Sequence, residues 1–584
     1  MKEMILMNFF KKHSLSYISG ICFMLLASYI QTLFPKILGK TIDLMKTGHF
    51  QENLILKNII YILIIAAITF IFTYLWRSQI IGNCRNLECY LREKLFHHFE
   101  ILSPEFYSTQ KTGDLIAYAI NDISAVRMTF GPALAMSFNG LIVCLSSIYF
   151  MLTAIDLKLT LITLVPLPLI VFLLLTIGKK IQIRFKTVQE NFGIISDKVQ
   201  ESISGIRVIK SFAQEEQEIQ NFEALSDQMM ESSIKLVKTS ASLSPLIDIC
   251  FGISFTLNLI IGGNMVLEGA ISLGSFVAFN TYLAMIMAPV ISFGRVITIY
   301  QRGMASLKRL KAIFQVTPTI VEEPGLLKHS VTGAIEIKDL NFHYPGSITP
   351  VLQNINLKIV RGQTLGIVGN TGSGKSTLAN LFLKLYNAPA GTILMDGIDI
   401  HKYSLQAIRQ STGFVPQETF LFSTTVKENV SAFKNTYSVE TINAALAISH
   451  IDENIHHLPD GINTVLGERG VNLSGGQKQR LAIARAVIKE PSILILDDAL
   501  SAVDTVTQNL ILQDLKKFRQ DKTNIIISHR ISAVTEADEI IVLDQGQIRE
   551  RGTHTELLEK GGLYYDIYTE QTEESRQAFQ PEAS

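Results

Sequence analysis

Residues Gly369 to Ser376 read GNTGSGKS, a run of small residues closed by a lysine and a hydroxyl, which suits the cradling of phosphate. Gly369, Gly372 and Gly374 let backbone N–H groups curl round phosphate oxygens at a helix N-terminus, with Asn370, Thr371, Ser373 and Thr377 completing the loop and first turn. Lys375 brings a point charge to the β and γ phosphates, and the Ser376 hydroxyl reaches Mg2+. The strand-like TLGIVG precedes this loop and the helical TLANLFLKLY follows it, the context that separates a phosphate loop from a chance Gly-rich turn. Further along, the apolar strand SILILDD delivers Asp497, whose carboxylate can hold the same Mg2+. A carboxylate at a strand end is common, so its weight comes from its order and distance after the loop. Together these residues predict a site for ATP and Mg2+.

The elements that position this chemistry belong to a second domain, expected over 334–570. Short β-branched runs, AIEIKDLNFHY, TLGIVG, SILILDD, TNIIISH and EIIVLD, alternate with helical segments, the pattern of an α/β sheet. A polar, Pro/Gly-bearing linker over 316–333 precedes it, and a polar tail over 571–584 follows, expected to fray.

Residues 1–315 have another character. Hydrophobic residues make up 48% of the chain, which points to a polypeptide partly in lipid. A bilayer crossing takes about 20 largely apolar residues, and six stretches meet that test: 15–35, 57–79, 132–153, 158–178, 244–267 and 274–299. Short links near Asp156 and Gly269 mark one side of the membrane, and long ones over 81–129 and 179–243 mark the other. Lys11, Lys12, Arg77, Arg85, Arg92, Lys179 and Lys180 flank the long links and place them, with both termini, in the cytoplasm of a multi-pass cell-membrane protein. The N-terminal stretch reads as a retained signal anchor, since no small-residue cleavage site is evident.

The long links carry apolar residues at helical spacing and are expected to be hairpins projecting roughly 35–50 Å, their tips reaching a cytoplasmic domain. Pro104 and Lys111–Asp114 mark the first tip, and Gly205 is placed on the returning arm of the second hairpin. Lysine plus arginine equals aspartate plus glutamate at 52 each, so no global field draws the chain to nucleic acid. None of the five cysteines has zinc or redox spacing, and all five read as packing residues.

The order GNTGSGKS, Gln417, LSGGQ, SILILDD, SAVD and His529 resembles the ATP-binding cassette (ABC) family, and the resemblance runs the length of the chain. It implies an exporter-type half-transporter, an α-helical six-span membrane domain fused to an α/β P-loop ATP-binding cassette domain. By that similarity Tyr344 would stack on adenine, the alternative being a core tyrosine. Gln417 would contact Mg2+ or the attacking water, unless it is a surface glutamine. Ser474, Gly475, Gly476 and Gln477 would cap the nucleotide held by a second half-transporter, and His529 would hold γ-phosphate and water.

The chain departs from that family after Asp497. Glutamate is usual there as base or orienter of the attacking water, and Asp498 stands in its place, one methylene shorter. A displacement of about 1 Å in a catalytic group can cost on the order of a hundredfold in rate, so this chain's own site is expected to be slow. With LSGGQ intact, the combination resembles the degenerate-site subunit of a heterodimeric exporter, whose non-identical partner carries the Walker B glutamate. A homodimer with Asp498 as an adequate base is the alternative.

Gln31, Asn139, Asn258 and Asn280 either line a cavity or bond between helices. Asp248 either attracts a cationic substrate or is solvated at the boundary. Pro166, Pro168 and Pro289 are expected to kink the fourth and sixth spans. Resemblance favours ATP-driven efflux of amphipathic drugs or lipophilic compounds. The absence of a peptidase domain before the first span argues against a leader-cleaving peptide exporter. Lipid or peptide export, import on the same fold, a regulatory ATP-binding subunit and an ATP-gated channel are the other readings.

Overall fold

The structure is a computed structural model and describes residues 4–46, 52–322, 325–434, 436–467 and 470–578. Its contacts divide the chain into two units: Met1–Glu100 with Lys111–Val316, and Ile101–Gln110 with Thr317–Ser584.

In hydrocarbon a backbone must satisfy its own hydrogen bonds, so apolar stretches of this length fold as helices. Among the described residues the first unit contains six long apolar helical runs, Leu6–Met45, Asn53–Ile101, Thr112–Ala154, Leu157–Ser204, Glu215–Leu267 and Leu273–Gln315, and each expected span lies inside one of them. The long links are helix, as their periodicity implied: Glu52–Ile101 runs unbroken for 50 residues, about 75 Å at the helical rise. Asp156 caps one short link, its Oδ1 accepting from Leu159 N at 2.7 Å, and Gly269 turns the other at φ 74°.

Proline acts differently at the expected kinks. The helix Leu157–Leu164 stops just before Pro166, which opens Pro166–Ser204, with Pro168 in its first turn; Leu273–Gln315 continues through Pro289. Gly205 is a correction. It caps the end of the descending helix Pro166–Ser204, ahead of a short helix Ile206–Ser211 and the ascending Glu215–Leu257. Helical periodicity continues past the glycine, which hid the end of the arm from sequence reasoning.

The intramembrane asparagines bond across helices. Ser28 Oγ donates to Asn139 Oδ1 at 2.7 Å, and Asn258 Nδ2 donates to Asn280 Oδ1 at 2.9 Å; Gln31 is exposed. Asp122, 5% exposed, accepts from Ser306 Oγ at 2.8 Å and from Arg309 Nε at 2.9 Å, which pairs a buried carboxylate as burial demands. Cys84 and Cys250 pack inside, as expected of apolar residues, whereas Cys22 and Cys89 are exposed, so the packing role does not extend to all five.

The second unit holds two sheets. β1 (Ile335–Phe342), β2 (Leu352–Ile359), β4 (Ile393–Met395) and β5 (Ile398–Asp399) form an antiparallel sheet in the order β2-β1-β4-β5. β3 (Thr364–Val368), β6 (Thr412–Val415), β7 (Ile493–Asp497), β8 (Thr523–Ile527), β9 (Glu539–Asp544) and β10 (Gln547–Gly552) form the other, ordered β10-β9-β3-β8-β7-β6. All neighbours in it are parallel except the edge pair β9–β10.

Parallel strands buried on both faces read as apolar runs rather than alternations, and every residue of Ile493–Asp497 is buried. Ile367, Ile495, Ile525 and Ile541 share one core, each contributing roughly 1.5–3 kcal/mol by burial. A second apolar cluster, including Val426, Leu446, Leu473, Leu481 and Ile488, seats the helix Gly475–Val487.

Segment Ile101–Gln110, the first hairpin tip, packs with this second unit. Its Ser103 Oγ accepts from Thr319 N at 3.1 Å and Ile320 N at 3.2 Å, and Asn387 Nδ2 donates to Thr319 O at 2.9 Å.

Candidate functional site

Parallel α/β sheets present ligands at the carboxyl ends of their strands, and the residues singled out by their chemistry gather there. β3 ends at Val368 and passes into the phosphate loop, β7 ends at Asp497, and β8 ends at Ile527, two residues before His529. Asp497 pairs in register with Ile527, which brings the carboxylate and the histidine loop onto neighbouring strands. Gln417 lies exposed two residues beyond the end of β6, next to β7 in the sheet.

The loop is held open by glycine. Gly369 has φ 148°, and a Cβ there would sit 2.0 Å from Leu543 O; Gly374 caps the helix Lys375–Phe382 at φ 102°, where a Cβ would meet Leu352 Cδ2 at 2.7 Å. An L side chain at either position would push the loop off the sheet. Lys375, 5% exposed, donates from Nζ to Gly369 O and Asn370 O, both at 2.8 Å, so its amine is folded back over the loop's concave face. Burial lowers its pKa, against the opposing pull of Asp497 and Asp498.

The Ser376 side chain lies close enough to Asp497 to act on its charge, so a hydroxyl from the helix and a carboxylate from β7 are near neighbours. An oxygen-only pair of this kind fits a hard divalent cation such as Mg2+. Burial raises the pKa of Asp497; the nearby Ser376 hydroxyl opposes that rise, and the neighbouring Asp498 adds to it. A bound cation would relieve both penalties.

Asp498 sits in left-handed backbone at φ 49°, and its buried Oδ1 makes no hydrogen bond. Native proteins rarely leave such an atom unpaired, so a bound water or ion beside Asp498 would satisfy it. His529 lies close enough for Lys375, Asp497 and Asp498 to act on its charge; burial, the largest cause, depresses its pKa and favours the neutral imidazole.

Tyr344 packs as its core reading expected. Its ring packs edge-on against Tyr386 at 5.0 Å and Phe342 at 5.3 Å, while its hydroxyl lies 3.0 Å from Thr377 Oγ1 in the first turn after the loop. It is therefore half-buried core and also a neighbour of the phosphate-loop helix.

Ser474 caps the helix Gly475–Val487 in a reciprocal box: Gln477 N donates to Ser474 Oγ at 3.3 Å and Ser474 N to Gln477 Oε1 at 2.9 Å. Ser474 and Gly475 are exposed, so the helix N-terminus, with its positive end, faces outward. Asp248 is exposed on the run Glu215–Leu267 and belongs to the first unit, not to this cluster.

Several residues that knit the site together escaped sequence reasoning. Buried Gln479 donates from Nε2 to Asp498 O at 3.3 Å and to Ser501 Oγ at 3.0 Å, and its Oε1 accepts from Ala502 N at 2.9 Å, tying the signature helix to the segment after Asp498. Its only signal was a polar side chain on the inward face of QKQRLAIARAV. Arg530 Nη1 donates to Val503 O at 3.0 Å and joins the histidine loop to that same segment.

Residues 17–290 match the family of ABC transporter transmembrane regions, and residues 352–501 match the ABC transporter family of the ATPase domain. The probable multidrug resistance ABC transporter ATP-binding/permease protein YheI of Bacillus subtilis is 38% identical over 572 residues, covering 96% of both chains. The multidrug resistance-like ATP-binding protein MdlA of Escherichia coli is 34% identical, over 96% of this chain and 95% of its own length. The ATP-dependent lipid A-core flippase of Syntrophus aciditrophicus is 34% identical over 83% of this chain and 80% of its own. A solved bacterial Atm1-family ABC exporter with ATP bound superposes with a TM-score of 0.79 at 25% identity, covering 95% of this chain and 99% of that one.

Proposed function

This chain belongs to the ABC exporters as a half-transporter with membrane and ATPase domains fused, and from that premise we propose that it expels amphipathic drugs or lipophilic compounds as the slow-site subunit of a heterodimer. ATP hydrolysis coupled to transport comes with the family. Drug efflux is supported by the names of relatives such as YheI and MdlA. Lipid export is the second reading, favoured by the relative named a lipid A-core flippase.

In this reading Gly369 to Thr377 hold the nucleotide's phosphates, and Lys375 turns its amine from the loop carbonyls to the β and γ oxygens. Magnesium, bound with ATP, supplies charge neutralisation at those oxygens. Ser376 and Asp497 would hold it, with Gln417 completing the set. Tyr344 offers its ring to adenine, and His529, kept neutral by burial, accepts or donates at the γ-phosphate end. Asp498 orients water from one methylene too far back. Ser474 to Gln477 present their outward N–H groups to the nucleotide of the second subunit, whose hydrolytic site depends on them. Both termini and the hairpins lie in the cytoplasm, where ATP is available.

The observation that carries the asymmetric form is Asp498: a short carboxylate with an unpartnered oxygen, beside an intact LSGGQ. Co-purification with a neighbouring-gene product, followed by transport in inverted vesicles, tests it. The expected complex has one copy each of two different chains and accumulates substrate uphill with ATP. A fully competent complex of this chain alone contradicts the heterodimer, and ATP-gated downhill flux would make it a channel.

A further inference from the structure

The C-terminal helix Leu563–Ala578 reaches back to the histidine loop with the Gln571 side chain. Gln571 Nε2 donates to His529 O at 2.6 Å, and Gln571 Oε1 accepts from Ile531 N at 3.0 Å, so a single amide brackets the residues on either side of Arg530. Two opposed bonds from one planar group fix both the position and the tilt of the loop.

The helix that carries this amide is itself anchored. Glu550 accepts from Tyr564 N at 3.1 Å, and His554 Nδ1 lies 2.7 Å from the hydroxyl of fully buried Tyr564. Tyr564, Tyr568 and Gln571 recur at i, i+4 and i+7 and so share a face. The apolar cluster under that face contains Tyr564 and Tyr568 with Ile531 of the histidine loop and Val368, the residue just before the phosphate loop. The helix takes in the first residues of the expected polar tail, up to Ala578, and 579–584 lie outside the described residues.

Resting on the reading of His529 as the γ-phosphate contact, we infer that Gln571 is a positioning residue that sets the imidazole against the γ-phosphate, making the C-terminal helix part of the nucleotide sensor. A side chain that only fastened a helix would support ATP and ADP binding alike. One that acts through His529 affects only the nucleotide that carries a γ-phosphate.

The test uses the full chain in its dimeric complex, photolabelled in the cold with azido-ATP or azido-ADP, with label counted on this chain alone. Gln571→Met removes both bonds at similar volume, and Gln571→Glu keeps the acceptor but sets a carboxylate against His529 O. Both are expected to weaken ATP retention several-fold, up to about tenfold, with ADP retention unchanged, while the lost bonds lower the melting temperature by about a few degrees. On a His529→Ala background, Gln571→Met is expected to add nothing. Equal losses for ATP and ADP, or a full additive loss on that background, would overturn the inference. So would ATP selectivity that falls in His529→Ala but not in Gln571→Met. Unchanged selectivity in His529→Ala itself would instead refute the role given to His529, and the inference with it.

Discussion

Replacing Asp498 with glutamate restores the longer side chain and tests the slow-site reading at its source. The added methylene extends the carboxylate by about 1.5 Å. Since a displacement of about 1 Å can alter a rate by on the order of a hundredfold, hydrolysis at this chain's own site should rise by roughly that factor. The backbone sets an opposing cost. Asp498 has φ 49°, a left-handed conformation that aspartate tolerates better than most residues. Glutamate there should destabilise the domain by about 1 kcal/mol, or roughly 2–4 °C in melting temperature for a domain of this size. The variant should therefore be faster and slightly less stable. Site-resolved nucleotide trapping on each subunit, beside a thermal melt, measures both. A melting temperature that falls while trapped turnover on this chain stays flat would refute the argument, as would a wild-type chain already turning over as fast as its partner.

Three further substitutions probe the two nucleotide sites. Asp497→Asn should raise the melting temperature of the nucleotide-free protein and abolish the rise produced by MgATP. Burial and Asp498 raise the Asp497 pKa, so the stability tied to its neutral form is present below the unfolded value near 3.9 and lost as pH climbs through the folded one, leaving the penalty in force at pH 7. Gly475→Asp should leave the fold intact, since a Cβ there lies 3.5 Å from Ala502 Cβ, and should cripple the partner's hydrolysis while sparing this chain's; equal loss at both sites, read by trapping, contradicts the asymmetry. Gly476→Ala would set its Cβ 2.6 Å from Ala502 O and should cost about 1–3 kcal/mol, seen in the melting temperature of the purified complex.

Much of this architecture was legible because its causes are local. Six apolar stretches can only be helices in lipid, and GNTGSGKS between a strand and a helix has one chemistry. Asp497 and His529 converge because β7 and β8 are neighbours in the sheet, an order that strand spacing along the chain does not record. What stayed hidden was long-range pairing. Nothing local distinguishes Gln479, which grips the segment after Asp498, or Gln571, which grips the histidine loop, from surface glutamines. The tyrosine–threonine bond at Tyr344 likewise joins residues 33 positions apart. Gly205 was misplaced because helical periodicity does not record where one hairpin arm ends.

The central claim is that nucleotide held at the phosphate loops drives uphill movement of substrate through the spans. Inverted vesicles carrying the complex, loaded with an amphipathic fluorescent cation and given MgATP, measure that directly. Accumulation against the gradient should disappear when Lys375→Met is combined with the equivalent change in the partner, while the complex still assembles. Undiminished accumulation in that double variant would contradict the account.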